Sequence, residues 1–140
     1  MKLLLLLLIP FIAHASSITF SGNPQPLLVS QAQAGSQPNS VIDTSTTYTL
    51  EVSKGPRASI SASLNSSLPD NTTLNVTFAA PPKSTSTPSV SLTTTPQVLV
   101  SGIKPGTYSN LLVTYEYLAT VAAGVVPLSS KTVILTITTN

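Results

Sequence analysis

The chain has 140 residues, of which only 7% are charged, and its formal net charge is +2 at pH 7. Its six Lys and Arg residues are scattered along the sequence, which argues against a nucleic-acid partner because such binding requires clustered cations. The chain contains no cysteine, so it forms no disulfide, and it is long enough for one self-supporting hydrophobic core.

Residues 1–15 have the pattern of a secretory signal peptide. Lys2 gives a positive start, residues 3–12 form an apolar run, and Ala13 and Ala15 are the small residues expected before cleavage at Ser16. The run is shorter than the roughly 20 residues of a membrane-spanning helix, so a retained N-terminal anchor is the less favoured alternative. We therefore expect a secreted mature chain in the periplasm or at the cell surface, with no transmembrane span.

After the leader, short apolar runs alternate with Ser and Thr and are separated by Pro, Gly and Asn. This is the pattern of β-strands, and no stretch has the spacing of an amphipathic helix. Residues 31–45 lack periodicity and predict a polar loop. The apolar runs lie, in chain order, at residues 18–20, 27–29, 48–52, 60–64, 74–78, 90–92, 98–100, 107–121 and 131–138.

These runs predict an all-β chain with a single domain over residues 16–140. We expect an antiparallel, immunoglobulin-like β-sandwich of about seven to nine strands, with a small β-barrel as the alternative. The order of the strands is not readable from the sequence. In the final run, Ile134 lies on the face opposite Val133 and Leu135, so both faces are apolar. A central strand is the favoured interpretation of that pattern, and contact with a second surface is the alternative.

The mature chain offers little catalytic chemistry. The only histidine, His14, lies in the predicted leader. Without imidazole or thiol, the usual base of a serine hydrolase and the usual ligands of zinc and copper are missing. The four Asp and Glu residues form neither a glycosidase pair nor a calcium-loop motif. We expect no enzymatic activity, no cofactor and no metal site.

Two further features point to surface chemistry. Glu116 lies between Tyr115 and Tyr117 on the longest predicted strand, a setting similar to sugar-binding surfaces, and Tyr108 lies earlier on the same strand. These four residues are candidate carbohydrate contacts, although strand alternation favours an exposed acid flanked by two inward tyrosines. Three N-glycosylation sequons, which we interpret as chance in an Asn-, Ser- and Thr-rich chain, begin at Asn65, Asn71 and Asn75.

Residues 106–115, Gly-Thr-Tyr-Ser-Asn-Leu-Leu-Val-Thr-Tyr, resemble the tail of secreted bacterial pilus and spore-coat-U-type subunits. Residues 63–103 and the C-terminal part also resemble small exported bacterial surface proteins. In pilus subunits, a neighbour's N-terminal strand completes the sandwich by β-strand addition. The resemblance therefore implies a donor strand over residues 16–21, with Ile18 and Phe20 as anchors. The chain departs from those subunits because it lacks their cysteine pair and continues through a further hairpin.

These observations predict an exported, non-enzymatic structural or adhesive surface protein, such as a fimbria-like or coat subunit that self-assembles. Its partners are then other proteins or further copies of itself. The alternative is a secreted monomeric binding module for carbohydrate.

Overall fold

The computed structural model of the protein describes residues 15–31 and 33–139. Most of the predicted leader, including Ala13 and His14, lies outside the described residues. A 3₁₀ turn is formed at Val121–Ala123. The strands formed within the described residues are β1 (Ser17–Phe20), β2 (Val41–Val52), β3 (Ala58–Leu64), β4 (Thr72–Phe78), β5 (Thr85–Ser86), β6 (Val90–Ser91), β7 (Gln97–Ile103), β8 (Gly106–Ala119) and β9 (Val133–Thr139).

The strands form two separate antiparallel sheets, which confirms the predicted β-sandwich. Sheet A has the order β1-β2-β8-β4-β6, and sheet B has the order β5-β7-β3-β9. The alternation of apolar and polar residues explains the two layers, because it gives each strand one face for the core and one for solvent.

From β2 onward, every connection between successive strands crosses from one sheet to the other. The pairs are nested: β2 pairs with β8, β3 with β7, and β4 with β6. The predicted immunoglobulin-like sandwich shares this two-layer antiparallel architecture. The crossing order, which the sequence left open, is the nested order of a jelly roll.

The core is formed by the inward rows of the inner strands. Tyr48 and Phe78 are at most 1% exposed, and their ring centroids lie 4.9 Å apart. The hydroxyl of Tyr48 donates a hydrogen bond of 2.5 Å to the carbonyl of Ala79, so its one polar group is satisfied inside the core. Phe20 of β1 adds a third ring, 6.3 Å from Tyr48 and 6.2 Å from Phe78.

The predicted loop over residues 31–45 was wrong for its last part, because β2 begins at Val41. The register of β2 against β8 shifts between Asp43 and Thr46, as at a β-bulge. The bulge interrupts the alternation of inward and outward side chains, so the first residues of β2 show no period-two pattern in the sequence.

The interpretation of the last strand as central was also wrong. β9 pairs only with β3 and lies at the edge of sheet B. Its second apolar face is therefore not explained by a position between two strands.

Candidate functional site

Glu116 does not share a surface with its neighbouring tyrosines. It lies on the outer face of sheet A, where the side-chain amide of Asn75 donates to its carboxylate over 3.4 Å. Asn75 in turn accepts a 2.7 Å hydrogen bond from the hydroxyl of Ser91. Tyr115, which is 6% exposed, points into the sandwich, and Tyr117 packs against the same core. The outward acid and inward tyrosines that alternation favoured are the observed arrangement.

Tyr108 lies near the other end of β8 from Glu116. It is half-buried against the core, and its hydroxyl donates to the backbone carbonyl of Lys104 over 3.1 Å. The four candidate carbohydrate contacts are therefore not brought together at one surface.

Sequence reasoning missed Asp43, which faces the interior opposite Tyr115 and is 8% exposed. The hydroxyl of Ser45 donates to both oxygens of its carboxylate, at 2.9 and 3.0 Å. Burial, and secondarily the charge of Asp43, raise the pKa of Tyr115. The sequence did not identify Asp43 as an inward residue, because the bulge after it breaks the alternation by which a strand is recognised.

Among residues 15–31 and 33–139, no group of three or more His, Cys, Asp or Glu side chains is placed to hold a metal ion. In the same residues, no helix has the length and apolarity needed to cross a bilayer.

The sequons lie in two different settings. Asn65 and Asn71 are exposed at turns, where Asn65 accepts a hydrogen bond from the backbone of Thr132 and Asn71 donates one to Ala122. Asn75 is half-buried within β4. The amide nitrogen of Asn75, to which a glycan would be attached, already donates to Glu116.

A shallow depression of about 310 Å³ opens between the turn before β4 and the segment after β6. Asp70, Asn71 and Thr93 give it a polar rim, and Leu68 and Leu92 contribute apolar surface. The depression is open to solvent and not enclosed.

One lateral side of the sandwich carries the edge strands β1 and β9, and we call it the β9 side. β7 contacts β4 and β6 across the two sheets, so β9 and β1 lie together on the other side. The inward apolar side chains of these two edge strands are only half-buried, whereas Leu50, Ile60 and Val76 of inner strands are buried. The half-buried side chains are Ile18 of β1 and Val133, Leu135 and Ile137 of β9.

The predicted donor strand is part of the same chain's sheet. Ile18 and Phe20 of β1 pair with Leu50 and Tyr48 of β2, in antiparallel register. Ile18 packs against the core, while Phe20 remains 36% exposed. The strand therefore pairs within its own chain at the edge of sheet A, and donation of β1 to a neighbouring copy stays a prediction.

The chain matches no protein-family model, and comparison with curated proteins and with solved structures gives no match either. The resemblance to fimbria-like subunits therefore rests on the sequence segments alone.

Proposed function

We propose that this chain is an exported, non-enzymatic structural or adhesive protein that self-associates through the β9 side. The observation that carries the proposal is the free edge of β9. Its seven residues contain no charged residue, no proline and no glycine. In proteins that remain monomeric, edge strands are usually protected by charges, prolines or bulges, because an unprotected edge can pair with a strand of another chain.

A second copy of the chain is the occupant that best fits this edge. If β9 pairs antiparallel with itself about Thr136, Leu135 lies opposite Ile137 of the other copy on the inner face. On the outer face, Ile134 lies opposite Thr138 of the other copy. The pairing therefore places apolar side chains together on the core side and keeps the self-complementary, isologous contact of a two-fold dimer.

Such pairing would also cover the β9 side with the second copy. The half-buried Val133, Leu135 and Ile137 would gain apolar neighbours from the second copy, and the two copies of sheet B would form one continuous sheet. The exposed Ile134, at 48%, would be partly covered as well. The low charge of the chain, 7%, opposes this approach only weakly.

The substitution Thr136→Lys tests this interface. It places two ammonium groups opposite each other at the two-fold axis, and we expect it to weaken dimerisation at least about tenfold, since like charges opposite each other destabilise paired strands. Thr136 is exposed in the single chain, so the sandwich itself should keep its stability. Analytical ultracentrifugation over a concentration series measures the dissociation constant.

Thr85→Lys is the matched control, because Thr85 is exposed on β5, at the opposite edge of sheet B from β9. It should leave the dissociation constant unchanged. If the protein is monomeric throughout, or if Thr136→Lys assembles as well as the unchanged chain, pairing through β9 is wrong. Assembly that persists in Thr136→Lys points instead to exchange of β1.

A secreted carbohydrate-binding module is the second candidate, and the depression beside Asp70 and Asn71 favours it. Carboxylate, amide and hydroxyl groups over apolar surface are typical of small-ligand sites. A monomer that binds glycans on an array, and that loses about tenfold in affinity in Asp70→Asn through the lost charge-assisted hydrogen bond, supports this function. Unchanged glycan binding in that variant rejects the site.

A further inference from the structure

Four cations that are scattered along the sequence meet at one end of the sandwich, which we call the basic end. The turn between β2 and β3 carries Lys54 and Arg57, and the turn between β7 and β8 carries Lys104. These turns are adjacent, since Val52 pairs with Gly106 and Ala58 with Ile103. The guanidinium of Arg57 donates to the carbonyl of Gly102 over 3.4 Å, across the two turns.

Lys83 joins the same end from the connection between β4 and β5. It directly precedes Ser84 and Thr85, and Thr85 pairs with Ser101, two residues before the end of β7. All four cationic side chains are exposed to solvent.

Among the described side chains, one carboxylate also lies at the basic end. It is that of Glu51, so the described side chains there have an excess of three positive charges. Lys131 lies at the opposite end, where its ammonium donates to Ser66 and to the carbonyl of Ser67. Asp70 is exposed at that end too, while Asp43 and Glu116 are buried or half-buried nearer to it.

The described chain also begins at the basic end. Ser16 is fixed there, because its hydroxyl oxygen accepts a 3.1 Å hydrogen bond from the backbone of Ser53. Three residues separate Ser16 from Ile12, the last residue of the apolar run. Ile12 and Ser16 are four Cα–Cα steps apart, at most roughly 14 Å in an extended chain, so a membrane that takes up the predicted leader lies close to the basic end before cleavage.

We propose that the basic end binds the anionic phospholipid headgroups of the membrane across which the chain is exported. The position of the apolar run selects a lipid surface as the partner, and the four exposed cations match its charge. Each Lys or Arg close to an anionic bilayer strengthens binding about fivefold, so the four together support peripheral binding of the protein to the bilayer surface. The interaction does not depend on self-association, because the β9 side is a different surface.

The test is co-sedimentation of the protein beginning at Ser16, which contains all described strands, with vesicles of phosphatidylglycerol and phosphatidylcholine. We expect binding to these vesicles, none to phosphatidylcholine alone, and release by salt, since exposed charges are screened. Single substitutions Lys54→Gln, Arg57→Gln and Lys104→Gln should each weaken binding about fivefold, and their combination with Lys83→Gln should abolish it.

Lys131→Gln is the matched control, because it removes the same charge from the opposite end and should leave vesicle binding unchanged. Thermal melting shows whether each variant is folded. If the quadruple variant does not fold, the single variants still test the proposal. Equal binding to both kinds of vesicle, or a loss in Lys131→Gln as large as in Lys54→Gln, overturns the proposal.

Binding to heparin without binding to vesicles assigns the basic end to acidic polysaccharides instead. Thr136→Lys, which tests self-association, should bind vesicles through the basic end whether or not the chain dimerises.

Discussion

Phe78→Ala is expected to lower the free energy of unfolding by about 3–5 kcal/mol. The side chain is fully buried in β4, the neighbour of β8 in sheet A, and packs against the ring of Tyr48 with centroids 4.9 Å apart. Its removal leaves a cavity that the surrounding strands fill only in part. Small domains have a total stability of about 5–15 kcal/mol, so the loss is a large fraction of it. Urea denaturation at a protein concentration that keeps the chain monomeric measures the change.

Phe20→Ala is the control, since Phe20 belongs to the same aromatic cluster but is 36% exposed. We expect it to cost less than half as much as Phe78→Ala, because less apolar surface is returned to water. Equal losses at the two positions would show that β1 is as essential to the core as β4. A loss below about 1 kcal/mol for Phe78→Ala would contradict the enclosed packing of its ring.

The strands with strict alternation were predictable from the sequence. Residues 48–52 and 74–78 show their inward rows directly, and both lie within observed strands. The beginning of β2 was not predictable, because the bulge after Asp43 breaks the period that identifies a strand. The edge position of β9 also escaped prediction. A strand with two apolar faces has the same sequence pattern whether its second face contacts other residues or is exposed to solvent.

Strand order could not be predicted because it depends on long-range pairing. β2 lies beside β8, although the whole of β3 to β7 separates them in the chain. A local pattern shows that a segment is a strand and which side chains face inward, but it carries no information about the partner strand. For the same reason, the alternation correctly placed Tyr115 inward and Glu116 outward, while the cluster of Lys54, Lys83 and Lys104 became visible only in the fold.

Alkaline pH is expected to destabilise the fold through Tyr48. Burial raises the pKa of its phenol from 10.0 to about 12, since the core does not solvate a phenolate. The folded chain therefore keeps this proton at a pH where the unfolded chain has lost it. The contribution to stability is complete below about pH 10 and is lost as the pH rises to about 12. At 1.36 kcal/mol per unit, the loss is about 3 kcal/mol. Burial also raises the pKa of Tyr115, which acts in the same direction.

Urea denaturation at a series of pH values from neutral to alkaline measures this effect, and Tyr48→Phe isolates the contribution of one phenol. At neutral pH the variant should be less stable by about 1 kcal/mol, because the carbonyl of Ala79 loses its hydrogen-bond donor. Above the ordinary tyrosine pKa its stability should fall less steeply than that of the unchanged chain. Deprotonation of lysines affects both proteins equally, so the two curves should approach each other and then cross. Parallel curves would mean that the folded chain solvates the Tyr48 phenolate as well as the unfolded chain does.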